Sequence, residues 1–396
     1  MRTGKHGSSY GEQLTREPRV PLATVAREWT RIGVTGFGGP PTHIRLLRRL
    51  VVEREHWVDS REFEDAVAAC NLLPGPASTQ LAIFSAQRVA GSFGAVVGGL
   101  CFVVPAVAMV LVLSTLFLGH APPDWVRGAG SGAGAAVAAA AVDAGLRLAP
   151  SSWQRVHGRA RHVRSAAYIV LGAGSAASLG PFLVLVLLGC GLVELGVRAL
   201  LAQRLSSFAG IAAVAAVGAG GIGALAWVAF KVGALSYGGG FVIVPLMQHD
   251  AIHTYHWMTA NQFLNAVALG QVTPGPVVST VAAVGYAARG IGGGILAAAI
   301  AFAPSFAFVL AGGRHFERLR ADARARAFLD GAGPAAIGAI LGAAIPLAEA
   351  LRETWQWLIL ACAAVLLLLL RRGVVQTLLA AGAAGAIIAA VGGPLP

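Results

Sequence analysis

Charge is what this chain has least of. Only 12% of its 396 residues are Asp, Glu, Lys or Arg, against 56% hydrophobic residues. A soluble domain with so few charges would lack the polar surface that keeps it in solution, so the composition indicates an integral membrane protein. Lysine is nearly missing: 28 of the 30 basic residues are arginine, leaving Lys5 and Lys231. Cysteine is scarce as well. Cys70, Cys101, Cys190 and Cys362 stand far apart in apolar runs, without metal-type spacing or the density of a disulfide framework. Nothing resembles a nucleotide-binding loop, so ATP-driven pumping by this chain finds no support. Residues 1–28 are polar and carry no apolar core, which predicts a cytoplasmic tail in place of a cleaved signal. The net charge of +12 comes mostly from arginines in short inter-helix stretches, a pattern that reports topology and anionic lipid, not nucleic acid.

What is present is a stretch that occurs twice. Thr30 to Pro76 and Phe230 to Pro276 align at an offset of 200 residues without a gap, with 13 of 47 positions identical. Gly33, Phe37, Gly38 and Gly39 fall on Gly233, Tyr237, Gly238 and Gly239, and His56-Trp57 falls on His256-Trp257. Asn71-Leu-Leu-Pro74-Gly75-Pro76 falls on Gln271-Val-Thr-Pro274-Gly275-Pro276. Further on, Pro105 meets Pro304 and Gly128-Ala-Gly130 meets Gly331-Ala-Gly333. A repeat of this length in an apolar chain is the mark of a duplicated transporter half.

The Gly-Phe-Gly-Gly-Pro block, the Leu-Leu-Pro-Gly-Pro-Ala-Ser-Thr-Gln block, and the later Tyr-Gly-Gly-Gly and Thr-Pro-Gly-Pro blocks resemble the chromate ion transporter family in its long, two-domain form. The resemblance covers roughly Trp29 to Pro346. It departs at Asn71, where glutamine is expected, as Gln271 stands in the second half. It implies a carrier that exports chromate from a bacterium across its inner membrane and so confers chromate resistance, driven by the membrane potential or ion gradients as in an antiporter. A carrier for sulfate or another oxyanion, importing it, and a passive anion channel are the rival readings. No cofactor and no enzymatic activity are implied, the coupling ion is open, and a homodimer is allowed.

The expected fold is an all-α polytopic membrane protein with two inverted-topology repeats, broken or re-entrant helices and about nine full crossings. Its parts are a polar tail (1–28), a first repeat (29–204), a linking transmembrane helix (205–228) and a second, inverted repeat (229–396). Phe63 to Val89 and Phe263 to Ala288 are apolar but interrupted at Pro74-Gly75-Pro76 and Pro274-Gly275-Pro276, and proline ends a helix while glycine lets the chain reverse. Clean spans are expected from Ser92 and from Ile291. The inversion rests on arginine. Stretch 42–62 has five arginines and its counterpart 248–262 has none, whereas 119–127 has only Arg127 and its counterpart 314–327 has five. A bias that changes sign between equivalent loops places them on opposite faces, with the N-terminus inside and the C-terminus outside.

Each Pro-Gly-Pro is followed by hydroxyl residues and a helical run: Ser78 and Thr79, then Ser279 and Thr280. Free amides at a helix start and the positive end of its dipole suit an anion that has lost its water. The candidate oxyanion contacts are therefore Gly38, Gly39, Asn71, Pro74, Gly75, Ser78 and Thr79, with Gly238, Gly239, Gln271, Thr273, Gly275, Ser279 and Thr280. Prolines and glycines that merely permit close helix packing are the simpler alternative. Arg31 and Lys231, equivalent in the two copies, are candidates for the charge that selects a dianion, or else interfacial side chains reaching to headgroups. Asp143 with Arg147 and Glu194 with Arg198 are spaced as pairs on one helix face. Asp65 is read as a helix cap or a proton carrier. His249, His253 and His256 cluster without the further ligands a metal site needs.

Overall fold

The computed structural model describes residues 20–71, 75–119, 121–154, 159–179, 183–201, 221–236, 241–312 and 322–396. Among these residues every regular element is helical. The chain is thus an all-α, multi-pass membrane protein. Ala77–Phe117, Asp124–Pro150, Leu183–Leu200, Val277–Gly312 and Ala323–Glu349 have the length and apolarity to cross a bilayer, and Ile222–Leu235, Thr354–Leu369 and Val374–Ala390 are shorter apolar helices. Large apolar side chains on their outer faces, among them Phe93, Val112 and Leu369, are exposed as lipid-facing groups would be.

The first described helix, α1 (Leu22–Thr35), begins inside the stretch expected to be a tail. Val25, Trp29 and Ile32 recur at helical spacing and are buried, so the start of the helix is set by an apolar stripe that the polar residues around it conceal. Trp29 Nε1 donates to the Ala82 carbonyl at 2.8 Å. α2 (Pro40–Arg48) runs into a π-helical turn, Arg49–Arg54. α3 (Ser60–Cys70) is capped by Asp59, which accepts from the Arg61 and Glu62 amides, so Asp65 lies inside the helix and not at its start. After the proline break comes α4 (Ala77–Phe117), bent at Gly91 in a φ/ψ region that glycine alone enters freely. The bend divides it into a half-helix and a long span that starts at Ser92, the expected position. α5 (Asp124–Ala135), α6 (Val137–Gln154), α7 (Arg159–Gly174) and α8 (Leu183–Leu201) follow.

The second half repeats the order: α9 (Ile222–Leu235), α10 (Ile243–His249), a π-helical turn (Asp250–Thr254) and α11 (Ala260–Val272). Then come a short 3-10 turn (Val277–Ser279) and α12 (Thr280–Gly312), bent at Arg289 and Gly290 so that its long part begins at Ile291. α13 (Ala323–Glu349), α14 (Thr354–Ala364) and α15 (Val374–Ala390) complete it. Likeness extends to local backbone: His56 and His256 both take a left-handed φ, 52° and 51°. α9 runs unbroken through residue 229, where the second repeat is expected to begin. Of the expected linking helix (205–228), residues 205–220 lie outside the described residues, as do Arg314, Arg318 and Arg320.

The two halves pack by exchange. α5 lies against α15, and α13 lies against α7 and α8. Glycine permits these contacts: a Cβ on Gly128 would stand 2.4 Å from the Gly385 carbonyl oxygen, and one on Gly331 would stand 2.2 Å from that of Cys190. Those glycines are the pair aligned in the sequence, and each touches the last helix of the opposite half. Ion pairs brace the same region. Arg147 holds Asp143 at 2.7 Å, while Glu194 accepts from Arg164 at 2.9 Å and Arg198 at 3.0 Å, and Arg198 reaches Asp330 at 2.7 Å. Both pairs expected from i,i+4 spacing therefore form.

Candidate anion site

The two proline breaks meet the ends of the opposite first helices. Gly75 N–H donates to the Ser236 carbonyl at 3.1 Å, and Gly275 N–H donates to the Gly36 carbonyl at 3.1 Å. Gly36 closes α1 and Ser236 closes α9, so the contact is reciprocal. Both glycines have left-handed φ, 114° and 100°, which a side chain would strain. A Cβ on Gly75 would fall 3.4 Å from Ser305 Oγ, and one on Gly39 would fall 3.7 Å from Val277 in the other half. A break in an apolar segment is tolerated where protein buries it, and Gly75, Pro76 and residues 274–276 are buried.

Helix starts follow at once. Pro76 precedes α4, whose first turn contains Ser78 and Thr79, both buried; Pro276 precedes the turn that contains Ser279, also buried. The hydroxyls differ in what they do. Thr280 Oγ1 donates to Val277 O at 2.7 Å and Thr273 Oγ1 to Leu269 O at 3.0 Å, so both are engaged by their own helices. Thr79 Oγ1, Ser236 Oγ, Ser279 Oγ, Ser305 Oγ and Gln271 Nε2 are buried without a hydrogen-bond partner. Buried polar atoms are nearly always satisfied, and a group of orphans beside two helix starts calls for a ligand or water.

Other candidates are placed elsewhere. Asn71 ends α3 exposed, unlike buried Gln271, and Gly38 is exposed. Pro74, Gly238 and Gly239 lie outside the described residues. Arg31 is 64% exposed, 3.8 Å from Glu28. Lys231 is buried and its ammonium bonds the Asp250 carboxylate. The first half has an ion pair at the same joint with its sign reversed: Glu28 on α1 accepts from Arg54 on the π-helical turn at 2.9 Å. Burial raises the Glu28 carboxyl, but the bond and charge of Arg54 outweigh it and leave it below its ordinary value. Lys231 thus ties a helix to a turn.

One site residue escaped the sequence reading. His43 belongs to the arginine-rich stretch 42–62, whose charges predict a loop, yet it is wholly buried. Its Nε2 lies 2.9 Å from the Gly36 carbonyl, its Nδ1 3.3 Å from Ser78 Oγ, and its ring stands edge-on to Phe102. Burial pushes its imidazole down to about 4, against the backbone bond to Gly36. The signal was His43, Leu47, Leu50 and Val51, a buried stripe at helical spacing on the short α2 and its π-helical turn.

The chain matches the family described as "Chromate transporter" over residues 23–195 and 223–388, a match that begins within each first helix. It is 32% identical to the chromate transport protein of Cupriavidus metallidurans over 343 residues, 84% of either chain. It is 30% identical to that of Pseudomonas aeruginosa, over 85% of this chain and 83% of the other. A probable chromate transport protein of Synechococcus elongatus is 27% identical over 86% of this chain and 88% of its own length. No solved structure matches. Over both halves, breaks included, the chain belongs to the chromate transporter family.

Proposed function

We propose that this protein is a secondary transporter that carries chromate, a tetrahedral dianion, through the place where the two proline breaks cross. The observation that carries the reading is the set of partnerless buried donors beside two helix starts. The positive ends of the half-helices and the neutral hydroxyls replace the anion's water without a permanent cation. The names of the relatives supply the substrate. On this reading the halves are inverted in the bacterial inner membrane, the site lies between them, and rocking of one half against the other exposes it alternately. Export, and with it chromate resistance, follows from the resemblance.

Sulfate shares chromate's shape and charge. With Arg31 exposed and Lys231 paired, the donors left at the breaks are neutral, so sulfate is expected to compete. The test is uptake of labelled chromate into everted membrane vesicles, energised and then uncoupled. Energy-dependent uptake abolished by uncoupler and reduced by sulfate supports active export. Flux of sulfate without chromate would move the substrate to the rival reading, and flux beyond carrier rates without counterflow would indicate a channel.

A further inference from the structure

We propose that His43 is a proton-binding group that couples proton uptake to filling of the oxyanion site, acting through the Ser78 hydroxyl. The inference rests on the site proposed above. Its argument begins with hydrogen-bond polarity. The Gly36 carbonyl can only accept, so His43 Nε2 carries a hydrogen and, in the neutral ring, Nδ1 is the acceptor. The Ser78 hydroxyl, 3.3 Å away, then donates to Nδ1 and is turned away from the helix start. A proton on Nδ1 reverses that bond. Nδ1–H now donates to Ser78 Oγ, and the Ser78 hydrogen is released to point at an anion in front of α4. One proton thus does two things: it places a positive charge beside a half-helix start and it frees a donor there. Both favour a dianion, and by linkage the dianion favours the proton to the same degree.

The backbone around the ring belongs to the site itself. The Gly36 carbonyl that receives Nε2–H also receives Gly275 N–H from the opposite break. Charged groups on neighbouring elements are engaged elsewhere: Glu28 with Arg54 and Arg31, Arg48 with Glu64, and Arg88 with Glu62, while Arg45 and Arg49 are exposed. None of these bonds the imidazole. The duplication supplies an internal control. At the positions equivalent to His43 and Ser78 the second half has Ile243 and Val278, both buried. Polar partners in one copy are matched by an apolar pair in the other, so the fold holds this joint without a histidine. A purely structural role leaves that exchange without a reason.

The test uses the full-length protein in proteoliposomes with the membrane potential clamped, and reads the chromate KM from about pH 4, where the empty-site imidazole titrates, up to about pH 8. Chromate itself takes up a proton in this range, but equally for every variant, so the ratio of variant to wild-type KM isolates the protein's proton. For one linked proton that ratio is expected to change by up to about tenfold per pH unit for His43→Gln, falling toward high pH. A ratio that stays constant with pH overturns the proposal. Ser78→Ala keeps the ring and removes the hydroxyl, and is expected to weaken chromate most at the acidic end; an unchanged profile there overturns the hydroxyl relay even where the His43 variant fails to fold. Absence of chromate flux in the wild type would instead remove the parent reading.

Discussion

At the scale of single residues, the hydroxyls after the two breaks are not equivalent, although their sequences look alike. Thr79 Oγ1 is buried without a partner, while Thr280 Oγ1 already donates to Val277 O. Thr79→Val is therefore expected to raise the chromate KM about tenfold or more, in line with the ~1.5–3 kcal/mol of a hydrogen bond to a charged group, whereas Thr280→Val changes it little. Vesicle uptake kinetics check this, and equal effects would remove the distinction. Lys231 and Asp250 call for a different readout. Breaking a buried pair by removing one partner typically costs about 3–5 kcal/mol, while an apolar replacement of both is far milder. Lys231→Gln and Asp250→Asn should each lower the unfolding temperature in detergent. The double change Lys231→Met with Asp250→Leu, which puts at 250 the leucine found at 50, should recover much of the loss. A selective rise in chromate KM for Lys231→Gln, without loss of stability, would return the ammonium to the substrate. The Glu28–Arg54 pair has its own pH signature. The folded carboxyl titrates below its ordinary value, so its contribution is complete above that ordinary value and is lost as pH falls through the folded one. Acid unfolding of Glu28→Gln should accordingly be less steep than that of wild type.

At the scale of elements, the breaks work because glycine adopts a backbone that other residues resist. Gly75→Ala and Gly275→Ala place a Cβ at positive φ, at about 1–3 kcal/mol of strain, and also 2.6 Å from Gln80 Nε2 or Ala106 Cβ. Each is expected to abolish or strongly reduce uptake while protein remains in the membrane, measured as flux per immunodetected copy. The elements were largely legible. Pro-Gly-Pro in an apolar run located the interruptions, and the long spans start at Ser92 and Ile291 because Gly91 and Gly290 bend the chain just before them. α1 was hidden. Its apolar stripe sits among arginines and glutamates, and only packing against α4 shows which face is buried.

For the whole molecule, the exchange of helices between halves has a consequence for assembly. α5 closes against α15 and α13 against α8 through bare glycine contacts, so these helices find their partners in the opposite half. Residues 20–201 expressed alone are expected to be degraded or aggregated, whereas co-expression with residues 221–396 should restore membrane protein and flux. Detergent size-exclusion and uptake would read this out. The arginine asymmetry makes a second statement at this scale: reporter fusions should place the N-terminus in the cytoplasm and the C-terminus outside. Both termini on one side would end the inverted reading and leave the reciprocal contacts standing.

Membrane class, the family, the position of both breaks and the helix-face ion pairs were determined by sequence alone, because composition, proline chemistry and i,i+4 spacing act over a few residues. Tertiary structure decided what depends on distant partners. It buried His43 against Gly36 and Ser78, gave Lys231 to Asp250, engaged Thr273 and Thr280 with their own helices, and left Thr79 and Ser279 without partners. A side chain's hydrogen-bond partner follows from how helices cross, and the crossings here are set by glycine contacts between halves that local sequence does not encode.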